Sequence, residues 1–455
     1  MSWKALPVEV TLEIIEHLCP EISIGQIGEA AAWTKLWQTE ESNMVETEQN
    51  NVNSSDGNDS KTASGSGQAS STNPWSALQS LALTNNYFYG ICIPFAYRDF
   101  IFTSNDWMLS DELVSKWTKH ASSVRNVRIL VDPQYTTHSQ YWDFLVTTLA
   151  AFTNVTSLAL YYFSCYSIPQ RIADQCIGIL STGKVREFGI YSAMILQYEV
   201  GNPSWDRRMA WGANYIIGQY ANNAAATSNL RVLDLVMETI PMDMYKLIRT
   251  QFPNLRTMNI RRAFRCRALG RIWDTNQVSP WRHYDHLTRL RLIDCSNAYA
   301  FHIPHLVRHF KSLRELMVST CGSDDDDKVG VPRSGGWSTE ADALCNTHAS
   351  LDVFHVEHMS DWEIYALGVI PTKELVTSNL VQGHLEAAFT YDPEIFPGLG
   401  LLRVEAYVSL EEATYMDATM ADPPRAIKTL NAICAGRGIK IERDAKWVRK
   451  KWTPS

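Results

Sequence analysis

Two groups of histidines have spacings that could hold a transition metal: His302, His305 and His309, and the pair His355 and His358. Imidazoles three and four residues apart on one helix project from the same face and can share an ion. Pro304 interrupts the first group, and the second falls in a run with strand spacing, where side chains alternate between faces. No Cys-x-x-Cys pair accompanies either group, so both read as surface or packing histidines, with no metal and no cofactor expected. The run Asp324 to Asp327, followed by Lys328, Gly330 and Pro332, lacks the alternating ligand spacing of a calcium loop and reads as a solvated acidic loop. The sequence also lacks a Gly-rich phosphate loop, a Gly-x-Ser-x-Gly elbow and a His-Glu-x-x-His pair. No catalytic centre is expected.

The stretch densest in arginine holds Arg261, Arg262, Arg265, Arg267 and Arg271, five within 11 residues. A planar guanidinium binds carboxylate or phosphate through paired hydrogen bonds. The other reading is a solvated loop making surface ion pairs. Groups of this kind act together only if a regular frame brings them to one surface.

The chain offers such a frame. A short phrase recurs in which an aliphatic residue is followed, after two variable positions, by a second apolar residue and, two further on, by a third. It reads VRNVRI at 124, NVTSLAL at 154, KVREFGI at 184, NLRVLDL at 229, NLRTMNI at 254, HLTRLRL at 286, SLRELMV at 312, SLDVFHV at 350 and GLGLLRV at 398. The mean period is about 34 residues, with single gaps from 25 to 48. Each unit is expected to be a short strand and a returning helix that bury their apolar faces only by stacking on neighbours. Met242 to Phe252, Ala300 to Phe310 and Arg425 to Cys434 have helical spacing and fit returning helices, and residues 436–444 read as a last strand after a glycine stop. The phrase resembles an irregular leucine-rich repeat; a nonrepeating α/β domain is the competing reading.

Strand alternation then sorts the charges. If Met258 and Ile260 point into the core, Thr257, Asn259 and Arg261 face the concave side of a solenoid. Arg289 and Arg291 follow on the next strand, and Asp234 lies on the preceding one. The expected substrate contact is therefore Arg261, Arg289 and Arg291, flanked by Asp234 and Glu315, and the expected ligand is an acidic or phosphorylated segment of a protein.

At the other end of the sequence, Val10, Ile14 and Leu18, with Leu12 and Ile15 beside them, form one helical face, with Pro7 where a first turn tolerates its missing N–H. Periodicity alone would allow an ordinary amphipathic helix. Residues 39–73 are rich in Ser, Asn, Gly, Gln and Thr and nearly empty of large apolar groups, so they are expected to be a disordered insertion. After them, Leu78, Leu81, Ala82 and Leu83 open a second helical pattern that continues through Tyr87, Phe88 and Ile91 to Pro94.

These two blocks resemble an F-box. Leu6, Pro7, Glu9, Val10, Ile14 and Leu18 look like its first helix, which begins Leu-Pro-x-Glu; Ser80 to Leu83, Tyr87, Phe88 and Pro94-x-x-Tyr97-Arg98 are similar to the later helices of fungal members. The insertion between the blocks departs from the family pattern. The resemblance implies that Leu6, Pro7, Val10, Ile14, Leu18, Leu81 and Leu83 bind a Skp-family adaptor and, through it, a cullin.

Composition narrows the class. With 45% hydrophobic and 20% charged residues in 455, the chain has the make-up of a folded protein large enough for two or three domains. A net charge of -8 argues against a general nucleic-acid binder. Thr147, Thr148, Thr153 and Asn154 break the most apolar window, 144–163, so no membrane span is expected there; it reads as a buried helix and a strand. The polar start and scattered, odd-numbered cysteines fit a reducing compartment, cytoplasm or nucleus.

The expected organisation is α/β: an N-terminal helical F-box-like segment in two parts, residues 1–38 and 74–102, around the insertion at 39–73, followed by an irregular leucine-rich-repeat-like α/β solenoid over 103–455. The expected function is substrate recognition for a Skp-cullin-F-box type ubiquitin ligase. A protein-interaction scaffold without ligase function is the alternative.

Overall fold

The computed structural model describes residues 92, 97–102, 111–131, 139–163, 168–193, 211–236, 252–261, 285–293, 303–307, 310–319, 350–357, 361–378, 382–392, 394–405 and 423–443. Among these are twelve strands in one sheet, ordered as in the chain. They are β1 (Asp99–Phe102), β2 (Asn126–Val131), β3 (Ser157–Phe163), β4 (Glu187–Ala193), β5 (Val232–Val236), β6 (Thr257–Arg261), β7 (Arg289–Ile293), β8 (Glu315–Ser319), β9 (Leu351–Glu357), β10 (Thr372–Ser378), β11 (Leu401–Glu405) and β12 (Lys440–Arg443). The helices between them are α1 (Asp111–Lys119), α2 (Ser139–Ala150), α3 (Gln170–Ser181), α4 (Trp211–Ala221), α5 (Ala224–Thr227), α6 (Ile303–Val307), α7 (Asp361–Leu367), α8 (Gln382–Tyr391) and α9 (Pro423–Gly436). The chain divides into two compact units, Met1–Leu130 with His138–Ala159, and Val131–Thr137 with Leu160–Ser455.

In the first unit β1 and β2 are parallel, with Phe100 opposite Val127. The apolar phrase residues Val124, Val127, Ile129, Val155 and Leu158 are buried. Phe100 meets Trp117 of α1 edge-on at 4.9 Å and Phe152 at 5.0 Å, and Phe102 stacks on Phe144 of α2 at 5.6 Å, so aromatic rings join strand to helix.

The second unit repeats the scheme from β4 to β12, all parallel with no slip between neighbours. Phe188, Leu233, Met258, Leu290, Leu316, Phe354, Leu375 and Leu402 therefore form one buried row, and all of them but Leu375 are central residues of the recurring phrase. Tyr220 of α4 packs against Phe188 and Phe252, and its hydroxyl donates to the Ala226 carbonyl at 3.3 Å. In α3 the buried residues Ile172, Ala173, Cys176, Ile179 and Leu180 recur at helical spacing and give the strands their covering layer.

The turn into each strand is stitched to the one before it. The Arg231 carbonyl accepts from the N–H groups of Arg256 and Thr257, at 2.8 and 2.9 Å, and the Arg256 carbonyl accepts from those of Thr288 and Arg289, at 2.9 and 3.0 Å. Where α9 gives way to β12, Gly438 takes φ 71°, its N–H donates to the Ala435 carbonyl and the Ile439 N–H to that of Cys434. That pair is a Schellman stop, and a side chain at 438 would strain it.

β1 and β10 are repeats that the phrase did not count. In β10 two of the buried apolar positions are held by Thr372 and Thr377, and Thr372 places its hydroxyl on the Ile370 carbonyl at 3.0 Å, so the aliphatic spacing is hidden. In β1 the buried residues are aromatic, Phe100 and Phe102, and the segment reads as the end of the preceding helical block. Of the expected returning helices, α6 and α9 fall where spacing put them, while residues 242–251 lie outside the described residues. The apolar window 144–163 holds most of α2 and all of β3. Among the described residues no helix is long and apolar enough to cross a membrane.

Candidate protein-binding face

Alternation sends every second strand residue to the face of the sheet opposite the apolar rows. Across β7 to β9 the register aligns Arg289 with Glu315 and Val353, and Arg291 with Met317 and His355. Glu315 uses both carboxylate oxygens. Nε of Arg289 donates to Oε2 at 2.6 Å, and Nη2 of Arg291 donates to Oε1 at 3.1 Å.

The partners differ in exposure. The Arg289 side chain is 44% exposed, Arg291 14% and Glu315 19%. Burial pushes the Glu315 carboxyl up, but Arg289 and Arg291 together outweigh it and hold the group below the usual carboxylate range. His355 is held below the usual imidazole value, first by burial and then by Arg291, Arg289 and Arg403, with Glu315 acting in the opposite sense.

A second charged group lies farther along the same face. Arg403 bridges Glu374 at 3.1 Å and Glu442 at 3.7 Å, and Lys440 meets Glu442 at 2.6 Å. Between the two groups Met317 and Val353 are half-buried and Val376 is buried, making an apolar saddle beside His355. The face thus carries a cluster with one excess positive charge, a saddle, and a cluster with no net charge.

Glu315 was expected only to flank the arginines; it lies between them and holds both. Asp234 was expected to flank them on the other side. It is fully buried, and the Tyr191 hydroxyl donates to its Oδ2 at 3.1 Å. Asn259, opposite both Asp234 and Arg291 in register, is also buried. Arg261 ends β6 opposite Ile293, two residues beyond the Asn259–Arg291 pair, and its side chain lies outside the described residues. Leu6, Pro7, Val10, Ile14, Leu18, Leu81 and Leu83 lie outside them altogether.

Arg403 was not singled out from the sequence, although the signal was present. In GLGLLRV it follows the central Leu402 as Arg291 follows Leu290 in HLTRLRL. Tyr161 is buried and stacks on Tyr191 with ring centres 4.4 Å apart. Among the described residues no group of His, Cys, Asp or Glu is arranged to hold a metal ion.

No protein-family model and no curated protein matches the chain. Among solved structures, the crystal structure of the yeast complex of Rad7 and Elc1 is similar at a TM-score of 0.33 and 11% identity, over 64% of this chain and 72% of that one. A likeness of that degree carries no argument about function.

Proposed function

We propose that the chain is the substrate-recognition subunit of a Skp-cullin-F-box type ubiquitin ligase. Its N-terminal helices lay Leu6, Pro7, Val10, Ile14, Leu18, Leu81 and Leu83 against a Skp-family adaptor, as helix-in-groove binding requires. The sheet holds an acidic or phosphorylated segment of the substrate on Arg289 and Arg291, with Arg261 two register positions away on the neighbouring strand. The protein performs no bond chemistry: it raises the effective concentration of a substrate lysine near the transferring enzyme.

The observation that supports the receptor half is the pair of guanidinium groups on adjacent positions of the open face, already engaged with a carboxylate. What supports the adaptor half is the Leu6-Pro7-x-Glu9 block, since a helix that merely capped the first repeat would not need that pattern. The test is co-purification with the adaptor. The wild type retains it, and Ile14→Asp, or Leu6→Ala with Pro7→Ala, releases it while the sheet keeps its melting temperature. Equal capture by wild type and variants sinks the ligase reading and leaves the scaffold.

A further inference from the structure

Arg289 is the more open of the two arginines. Arg291 is 14% exposed and engaged with Glu315, whereas Arg289 bonds Glu315 through Nε and its side chain stays 44% exposed, so its terminal nitrogens can meet a further acceptor. The two guanidinium groups and Glu315 leave an excess of one positive charge, which one carboxylate balances. A second acidic group would meet no excess there.

Past Glu315 the face turns apolar. Val353 is next in register on β9, and Met317 lies two residues from Glu315 on β8, both half-buried. His355, held below the usual imidazole value first by burial, is neutral at pH 7 and adds no charge beside them. Beyond this saddle Arg403 and Lys440 face Glu374 and Glu442, a cluster with no net charge.

Resting on the acidic-segment reading above, we propose that the face takes an extended protein segment by two side chains: one carboxylate on Arg289 and one apolar group, about three residues along, on Val353 and Met317. The spacing follows from the sheet. Arg289 and Val353 are two strands apart in register, about 10 Å at the usual strand separation, and an extended chain crossing the strands covers that in about three residues. The carboxylate supplies the charge that the cluster lacks, and the apolar group covers carbon that the strands leave half open. Neither a long acidic run nor a purely apolar segment matches both halves.

The test uses fluorescein-labelled Gly-Ser nonamers on the full chain, carrying Glu alone, Leu alone, Glu and Leu adjacent, or Glu and Leu three residues apart in each order. Wild type binds one of the spaced pairs about tenfold more tightly than the Glu peptide, and the adjacent pair gains less. Arg289→Gln removes the contribution of Glu and keeps that of Leu. Val353→Thr with Met317→Gln does the reverse. The wild-type series decides by itself if either variant fails to fold by circular dichroism.

Equal binding of adjacent and spaced pairs, or a Glu or Leu contribution that survives the change at its own contact, overturns the two-point contact while acid-dependent binding still stands. Binding that ignores Glu in the wild type, or no binding of any peptide, overturns the acidic-segment reading with it. Adaptor capture is scored in parallel on the same proteins, so the ligase reading stands or falls separately.

Discussion

Arg231 and Asn254 hold the same carbonyl: Nη1 of Arg231 and Nδ2 of Asn254 both donate to the Ser228 oxygen, at 3.0 and 2.8 Å. In the first unit Arg125 and Asn154 do the same to Ser122, at 2.8 and 3.0 Å. The brace ties the turn before one strand to the turn before the next, and it answers backbone acceptors that the short turns leave over. Asn254→Ala is expected to cost about 1 kcal/mol, and Arg231→Met with it somewhat more, because the Ser228 carbonyl then loses both partners. Urea unfolding checks this. A midpoint unchanged in both variants would show that water replaces the brace without loss.

Gly189 and Tyr191 predict a larger effect. A Cβ on residue 189 would lie 2.6 Å from Tyr191 Cε2 and 2.8 Å from its hydroxyl oxygen. The ring cannot swing away cheaply, since it stacks on Tyr161 and donates to Asp234. Gly189→Ala should destabilise by about 1–3 kcal/mol through overpacking, and Tyr191→Leu in the same chain should recover part of it. A variant that melts with the wild type would mean the ring has room to move.

The strands that sequence reading found and missed follow one physical rule. Leu233, Met258, Leu290 and Leu316 are aliphatic or nearly so and bury completely, so their spacing is visible. Thr372 and Thr377 bury as deeply but look polar on paper, because hydrogen bonds made within the fold are not written in hydropathy. The site divides in the same way. Alternation put Arg289 and Arg291 on one face, since parity needs no distance information. It could not tell that Asp234 is buried under Tyr191 or that Glu315 lies between the arginines, since both depend on which side chain reaches across to the next strand.

His355 gives the fold a pH dependence whose sign is determined. Its folded value lies below that of the unfolded chain, so between the two the unfolded state binds more protons and stability falls as pH drops through the imidazole range. Glu315 contributes in a separate, more acidic window, where stability is lost as pH falls below the unfolded carboxylate value. Urea midpoints should decline from pH 7.5 to 5.5 in the wild type, and His355→Asn should flatten that slope while leaving the loss below about pH 4.5, the ordinary carboxylate range. His120, also lowered, adds to the same window from the first unit, so some slope remains in the variant. An identical slope with and without His355 would sink the assignment.

Charge reversal at Arg289 and Arg291 separates the binding face from the adaptor end. With both positions glutamate, Glu315 faces two like charges in place of two partners, so the face repels acidic ligands and loses stability locally. Capture of an acidic substrate should weaken by about 2 kcal/mol or more if the lost bonds are desolvated, while adaptor capture is unchanged. The fold must be checked alongside, because Glu315 is 19% exposed and has lost its counter-charges. Glu315→Gln added to the reversed pair relieves that strain and should restore the melting temperature without restoring binding. Salt supplies the independent measure: wild-type affinity should fall between low and physiological ionic strength, and the reversed variant should lose that dependence. Affinity that ignores salt and survives the reversal would remove Arg289 and Arg291 from the substrate contact, leaving Arg403 with Glu374 and Glu442 as the charged group on that face to be tested next.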